Sequence, residues 1–239
     1  MKKSVLVFTL LLLATLSYAQ DDTKKKKLYG VFETKTLFQI GMLKDSAGGS
    51  MQSILRFAPF ANYTLQLHYD VSNKFGIYTG VGSKNLGFIT RYNSIGETVK
   101  SRAYCLSIPV GLKYGNMKEE TYVYIAGEFL AQFDYKEKVF DGSTKTKRKN
   151  MNSDINSINW STIVGLNYKG FTIGAEYTLG NFFSDSYKFQ PSNNSPAYPT
   201  PSKSNILSFF LGFRTSLSSE DTNNDVTKKA IQQASLNRY

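Results

Sequence analysis

The chain has 239 residues, with 29 Lys and Arg against 18 Asp and Glu for a net charge of +11, 41% hydrophobic residues, one Cys and one His. These counts exclude a disulfide scaffold, a zinc cluster built from Cys and His, and a low-complexity disordered chain. The 17 Phe and 16 Tyr lean toward β structure.

The first residues read as an address. Lys2 and Lys3 precede an apolar run over 5–16, broken by Thr9 and Thr15, and Ser17-Tyr18-Ala19 supplies small residues for a cut after Ala19. A twelve-residue run at helical rise covers about 18 Å, short of a ~30 Å hydrocarbon core, so 1–19 is expected to be a signal peptide rather than an anchor. The basic segment 20–27, with Lys24 to its end at Lys27, is expected to be periplasmic. Beyond it no apolar stretch is long enough for a transmembrane helix.

Period-2 patterning, the mark of a strand with two unlike faces, then recurs in eight segments. In 28–42 Phe32, Phe38, Ile40 and Met42 oppose Glu33, Lys35 and Gln39. In 57–71 Phe57, Tyr63, Leu65, Leu67 and Tyr69 oppose Asn62, Gln66, His68 and Asp70. In 75–84 Phe75, Ile77 and Val81 oppose Tyr78, Lys84 and three glycines. Beyond Lys84 the apolar residues change parity to Leu86, Phe88 and Tyr92, which predicts a bulge or strand end near Asn85. In 102–114 Tyr104, Leu106, Ile108, Val110, Leu112 and Tyr114 oppose Cys105, Ser107, Pro109, Gly111 and Lys113. In 121–135 Val123, Ile125, Phe129, Phe133 and Tyr135 oppose Tyr124, Glu128 and Gln132. Segment 160–168 carries Trp160, Val164, Leu166 and Tyr168 on its apolar face, and 171–179 sets Phe171, Ile173 and Tyr177 against Thr172, Gly174 and Glu176. The last, 206–217, sets Leu207, Phe209, Leu211 and Phe213 against Ser208, Gly212 and Arg214.

The connections alternate. Segments 72–74, 115–120 and 169–170 are short, whereas 43–56, 93–101, 136–159 and 180–205 are long. Outer-membrane barrels show this order, with short periplasmic turns and longer outer loops. Alternation alone does not say which face is out: a soluble lipocalin-like barrel would turn the apolar face inward around an apolar ligand. Three features favour the membrane. Tyr69, Phe75, Tyr114, Tyr168 and Phe171 gather at one end and Phe38, Phe57, Tyr104, Phe133, Tyr135 and Trp160 toward the other, as two interfacial girdles. The polar faces are rich in Gly, which suits a narrow lumen, and the strands are long enough to cross at a tilt. The reading is all-β: an eight-stranded antiparallel up-and-down transmembrane β-barrel over 28–217, with a polar periplasmic tail over 218–239.

Within the fourth segment, Ser107-Ile108-Pro109-Val110-Gly111-Leu112-Lys113-Tyr114 resembles a strand signature of the PorT-like, OmpX-like outer-membrane β-barrel proteins, and Phe210-Leu211-Gly212-Phe213-Arg214 resembles their closing strand. The resemblance implies the barrel fold and an outer-membrane location in a Gram-negative-type cell; the family hosts several roles, and the PorT likeness suggests, among them, an accessory to a secretion or envelope complex. Many such barrels end on the aromatic of the last strand, whereas here the tail follows.

Eight strands leave an interior that side chains can fill, so a small pore is the lesser alternative. Glu33, Lys35, Gln66, Glu128, Glu176 and Arg214 fall near mid-depth, and a charge-paired structural network of Glu33, Lys35, Glu128, Glu176 and Arg214 is expected, with Arg214 reaching Glu176 and Glu33. His68 and Asp70 share a face, but no nucleophile stands beside them, so no catalytic residue is assigned and no enzyme is expected. No cofactor and no metal site is expected. Lys145, Lys147, Arg148 and Lys149 form a basic outer loop that would meet lipopolysaccharide or an acidic partner. Tyr187 and Phe189, beside Pro191, Pro196, Pro199 and Pro201, belong to a mobile cap or an adhesive loop. The expected partners are outer-membrane lipid, lipopolysaccharide and envelope or secretion-complex proteins, with no nucleic acid, and the protein is expected to be a monomer. Its expected role is structural or surface interaction.

Overall fold

The computed structural model describes residues 28–93, 96–142, 144–150, 154–189 and 200–217. The expected signal peptide, the basic segment 20–27, the tail 218–239 and three of the four loop prolines lie outside the described residues. The strands are β1 (Leu28–Lys44), β2 (Ser53–Ile54), β3 (Arg56–Ala58), β4 (Tyr63–Asp70), β5 (Phe75–Tyr92), β6 (Glu97–Asn116), β7 (Thr121–Asp141), β8 (Thr144–Asn150), β9 (Ile158–Tyr168), β10 (Phe171–Thr178) and β11 (Lys203–Ser216). All pairings are antiparallel, and β11 pairs with β1, so the sheet closes on itself. The ring has eight staves because β3 and β4 together act as one, pairing in succession with β1. β2 adds to the edge of β5 and β8 to the edge of β7.

The faces are those of a membrane barrel. Leu106, Ile108, Val110, Leu112, Phe209 and Phe213 are exposed on the outside, while Glu33 and Lys113 are each 1% exposed within. A soluble carrier needs the opposite arrangement, because water outside would then touch a hydrocarbon surface. At the short-turn end β9 and β10 are joined by Lys169-Gly170, both with positive φ (49° and 88°), the two-residue turn whose twist matches antiparallel strands.

Large rings in the lumen lie over glycines of the next strand. Tyr78 is registered opposite Gly111, Tyr124 opposite Gly165 and Phe210 opposite Gly174. A Cβ at any of these three glycines would collide with the ring it faces. The glycine-rich polar faces therefore create the volume in which the aromatic rings pack.

The strands continue past the membrane, and there the chemistry of their faces inverts. On β6 the odd-numbered residues stay inside throughout, but Ser107, Gly111 and Lys113 give way to Cys105, Ala103 and Val99. Its outward residues change from Tyr104 and Leu106 to Arg102 and Lys100. On β5 the even-numbered face likewise stays inside while passing from Gly80, Gly82 and Lys84 to Leu86, Phe88 and Tyr92. The expected bulge near Asn85 is thus absent: the β5–β6 register is unbroken, and the parity change marks the height at which hydrocarbon outside is replaced by water. The register shift lies two strands away, where β7 inserts Phe133 opposite Tyr104 and Cys105. That insertion turns Tyr135 inward to 1% exposure, so it is a core residue and not a girdle ring.

Two expected loops are largely strand. The connection after β5 shrinks to four residues, and 136–159 holds the end of β7 and all of β8 as a projecting hairpin. β8 leaves an open edge whose Thr-Lys alternation, from Thr144 to Lys147, discourages pairing with another chain. The projecting part has its own apolar core of Leu43, Leu86, Phe88, Leu130, Tyr135 and Ile206. Phe182, Phe183, Tyr187 and Phe189, from the connection between β10 and β11, are buried in it and close the mouth. Tyr187 and Phe189 are accordingly not an adhesive surface.

Candidate functional site

The lumen is a stack of polar layers. At the short-turn end Lys113 Nζ lies 2.8 Å from Asp70 Oδ1 and 3.0 Å from both Tyr29 Oη and His68 Nδ1. His68 Nδ1 accepts from the ammonium, so Nε2 carries the ring proton and donates to Gln66 Oε1 at 2.8 Å. Gln66 passes the chain on, its amide donating to Glu33 Oε2 at 2.7 Å. His68 is fully buried, its two ring nitrogens are taken by Lys113 and Gln66, and Asp70 binds Lys113.

The middle layer alternates in charge. Arg214 Nε donates to Glu33 Oε1 at 2.7 Å and its Nη1 to Tyr122 Oη at 3.1 Å, and its guanidinium lies 4.2 Å from the centre of the Tyr124 ring. Lys35 bridges Glu33 at 3.3 Å and Glu176 at 3.2 Å. Lys84 bridges Glu176 at 2.8 Å and Glu128, whose carboxylate also accepts from the hydroxyls of Ser107 and Ser161. The cations Arg214, Lys35 and Lys84 thus match the anions Glu33, Glu176 and Glu128 one for one. Period 2 places these side chains on the inner face, and closure brings β1, β5, β7, β10 and β11 within reach of one another.

The five expected network residues sit in this layer, but the pairing differs from expectation. Arg214 reaches Glu33 and not Glu176, because Glu33 is its direct partner across the β1–β11 seam while Lys35 and Lys84 occupy both oxygens of Glu176. Lys84 joins the network beyond the five expected residues, and its parity on the inner face of β5 is the signal that marks it. Above this layer Arg56 binds Gln39 and Asn85, filling the place where the β3–β4 stave is interrupted. Among the described residues buried paired charges crowd the lumen, and a crevice of about 10 Å³ at the short-turn end, lined by Tyr29, Tyr122, Asn167 and Arg214, is room for about one water molecule.

Outside, the four basic loop residues separate. Lys145 and Lys147 are exposed on the outer face of β8. Arg148 turns to the opposite face, 2.9 Å from Asp154 and 3.8 Å from Glu137. Lys149 is opposite Lys136 in register, and its side chain is outside the described residues. The sheet adds cations that the reading of a loop missed: Lys100, Lys138 and Lys147 form one cross-strand row, and Arg102 and Lys136 another. The two-residue spacing of Lys136 with Lys138 and of Lys145 with Lys147 was the strand signal.

No curated protein matches the chain. Among solved structures, Ail, the attachment invasion locus protein of Yersinia pestis, aligns at a TM-score of 0.36 and 13% identity, covering 78% of this chain and 99% of its own. Neisserial surface protein A aligns at 0.36 and 9% identity over 79% and 96%. The N-terminal β-barrel domain of Pseudomonas aeruginosa OprF aligns at 0.29 and 9% identity over 78% and 98%. The outer membrane protein beta-barrel domain family matches residues 18–185, most of the chain, and the fold is a closed antiparallel ring, apolar without and ion-paired within. The protein is an outer-membrane β-barrel and belongs to that family.

Proposed function

We propose that this barrel is non-enzymatic and non-conducting, and that its work is done at its surface, as a structural or interaction protein of the envelope. The observation that carries the reading is the filled lumen: the ion-paired layer from Arg214 to Glu128 lies below an apolar plug of Phe182, Phe183, Tyr187 and Phe189. Moving an ion through it would mean breaking buried pairs, each a loss of several kcal/mol (about 3–5). In this reading the projecting hairpins face outside, both termini are periplasmic, and the lipid and lipopolysaccharide of the outer leaflet surround the barrel. Closure of β11 on β1 supports a monomer, since no second chain is needed to satisfy a strand edge of the ring. The resemblance to PorT-like proteins supports an accessory role beside a secretion or envelope complex.

Reconstitution of the purified full chain in planar bilayers tests this. Silence at potentials that open porins is the expected result; stable unitary conductance from the wild type would sink the sealed-barrel reading. Orientation is tested separately with Lys145→Cys, since Cys105 is buried: a membrane-impermeant maleimide labels intact cells if the hairpins are outside.

A further inference from the structure

We propose that the outward face of the β6–β7–β8 extension is a binding site for the phosphorylated headgroup of an outer-leaflet glycolipid, held by Arg102 and Lys136 in a lower row and by Lys100, Lys138 and Lys147 in an upper one. The inference rests on the surface-barrel reading above and adds the ligand class and the residues.

The argument is one of height and face. Below the rows, this same outward face is the lipid surface: Leu106, Ile108 and Val110 on β6, Phe129 on β7. Arg102 follows Tyr104, the last outward ring of β6, and its guanidinium lies 4.7 Å over that ring. A cation stacked on an interfacial tyrosine stands where acyl chains end and phosphates begin. The second row is two residues further out, about 7 Å along the strand. A soluble polyanion has no reason to demand this continuity with the hydrocarbon band, whereas a lipid bearing more than one phosphate would meet both rows at once.

The charges are also left available. Asp134 holds Lys136 at 3.6 Å, but in the upper row the register partners of Lys138 are themselves cations, Lys100 on β6 and Lys147 on β8. Phe140 on the same face supports the stems: Lys100 Nζ is 4.9 Å and Lys145 Nζ 5.7 Å from its ring centre. Slight desolvation and the neighbouring cations of Lys145, Arg102, Lys147 and Lys100 hold the Lys138 ammonium below the ordinary lysine value. An anion between the rows would relieve that repulsion, which is a reason for the face to bind one.

The test uses the full chain folded in neutral detergent and bisphosphorylated lipid A as probe, with retention read by native mass spectrometry. The wild type is expected to retain lipid A and to lose it as ionic strength rises. A Lys100→Gln/Lys138→Gln/Lys147→Gln variant should bind about 100-fold more weakly, at roughly fivefold per cation. The matching Lys→Arg triple should bind normally, and heat-modifiable gel mobility checks that each variant is folded. Dephosphorylated lipid A should bind the wild type at least as weakly as lipid A binds the Gln variant, which keeps the lower row. Equal retention by wild type and Gln variant, indifference to the phosphates, or binding of inositol hexakisphosphate without lipid A would each overturn the proposal. The maleimide and conductance measurements read the surface-barrel proposal independently, so failure of that reading and failure of this one are told apart.

Discussion

Glu33 and Arg214 stand directly opposite each other where the first strand meets the last, with Arg214 Nε 2.7 Å from Glu33 Oε1. The ion pair therefore sits on the seam that closes the barrel, between residues 181 positions apart in sequence. Replacing Arg214 by Ala leaves Glu33 buried with Lys35 as its remaining salt-bridge partner. Breaking one side of a buried pair costs about 3–5 kcal/mol. A clear drop in thermal midpoint in detergent is expected, and the Glu33→Gln/Arg214→Gln double variant should recover part of it; an Arg214→Ala protein as stable as the wild type would refute a structural role for the layer.

The glycines under the lumen rings predict a position-dependent pattern. Gly165→Val places side-chain carbon inside the volume of the Tyr124 ring, which is itself held by a 2.8 Å hydrogen bond to Thr172 and by the guanidinium of Arg214. Overpacking of this kind costs about 1–3 kcal/mol. Gly127→Ala, with open space around its Cβ, should change little. Denaturant unfolding of the two variants in the same detergent compares them directly.

The inversion of face chemistry on β6 makes a sharper test of where the membrane ends. Ile108 and Lys100 share its outward face, on either side of Tyr104. Ile108→Lys should cost about 2–4 kcal/mol in a bilayer, because the charge enters hydrocarbon. Lys100→Ile should stay within about 0.5 kcal/mol, as a surface change in water. Equal effects in liposome unfolding would mean that the border is elsewhere.

The Glu137 carboxylate ties the plug to β7. Glu137 accepts from Tyr187 Oη at 2.8 Å and from Tyr135 Oη at 2.7 Å, and the Tyr187 ring stacks on Phe183 at 3.8 Å. Tyr187→Phe keeps the stack and loses a charge-assisted bond, about 1.5–3 kcal/mol. Faster hydrogen exchange in 182–189 with unchanged exchange in the membrane strands is the expected signature.

Alkaline pH should act on the same tie. Burial, then Tyr135 and Glu137, pushes the Tyr187 hydroxyl well above the ordinary tyrosine value. Burial and Glu137 do the same at Tyr135. A proton held more tightly when seated than when released means the contribution is whole below the free tyrosine value of about 10 and declines as pH rises past it. Exchange in the plug should therefore be flat from pH 7 to 9, after correction for intrinsic rates, and accelerate above about 10; acceleration already at pH 8 would contradict this.

Much of the barrel was legible because strand period and membrane chemistry are both local. Leu106, Ile108 and Val110 alternating with Ser107 and Gly111 state a two-faced strand, and Tyr114 and Tyr168 beside short turns state an interface. The reading stumbled where one local pattern has two causes. The change from Val81 to Leu86 looks like a slipped register, yet it is an unslipped strand leaving one solvent for another. The loop assigned to 136–159 failed for the same reason, since a hydrophilic outward face above the membrane is how a wet strand looks.

By itself, then, the order of residues determined which side chains share a face, that the charged ones are lumenal candidates, and that the ends of the strands are aromatic. Only the closed sheet decided which charge meets which. Pairing across the lumen depends on the stagger of strands far apart in sequence, and that stagger is fixed when β11 docks on β1: Arg214 falls opposite Glu33, and Glu176 is left to Lys35 and Lys84. Register is a property of the ring, and no window along the chain contains it.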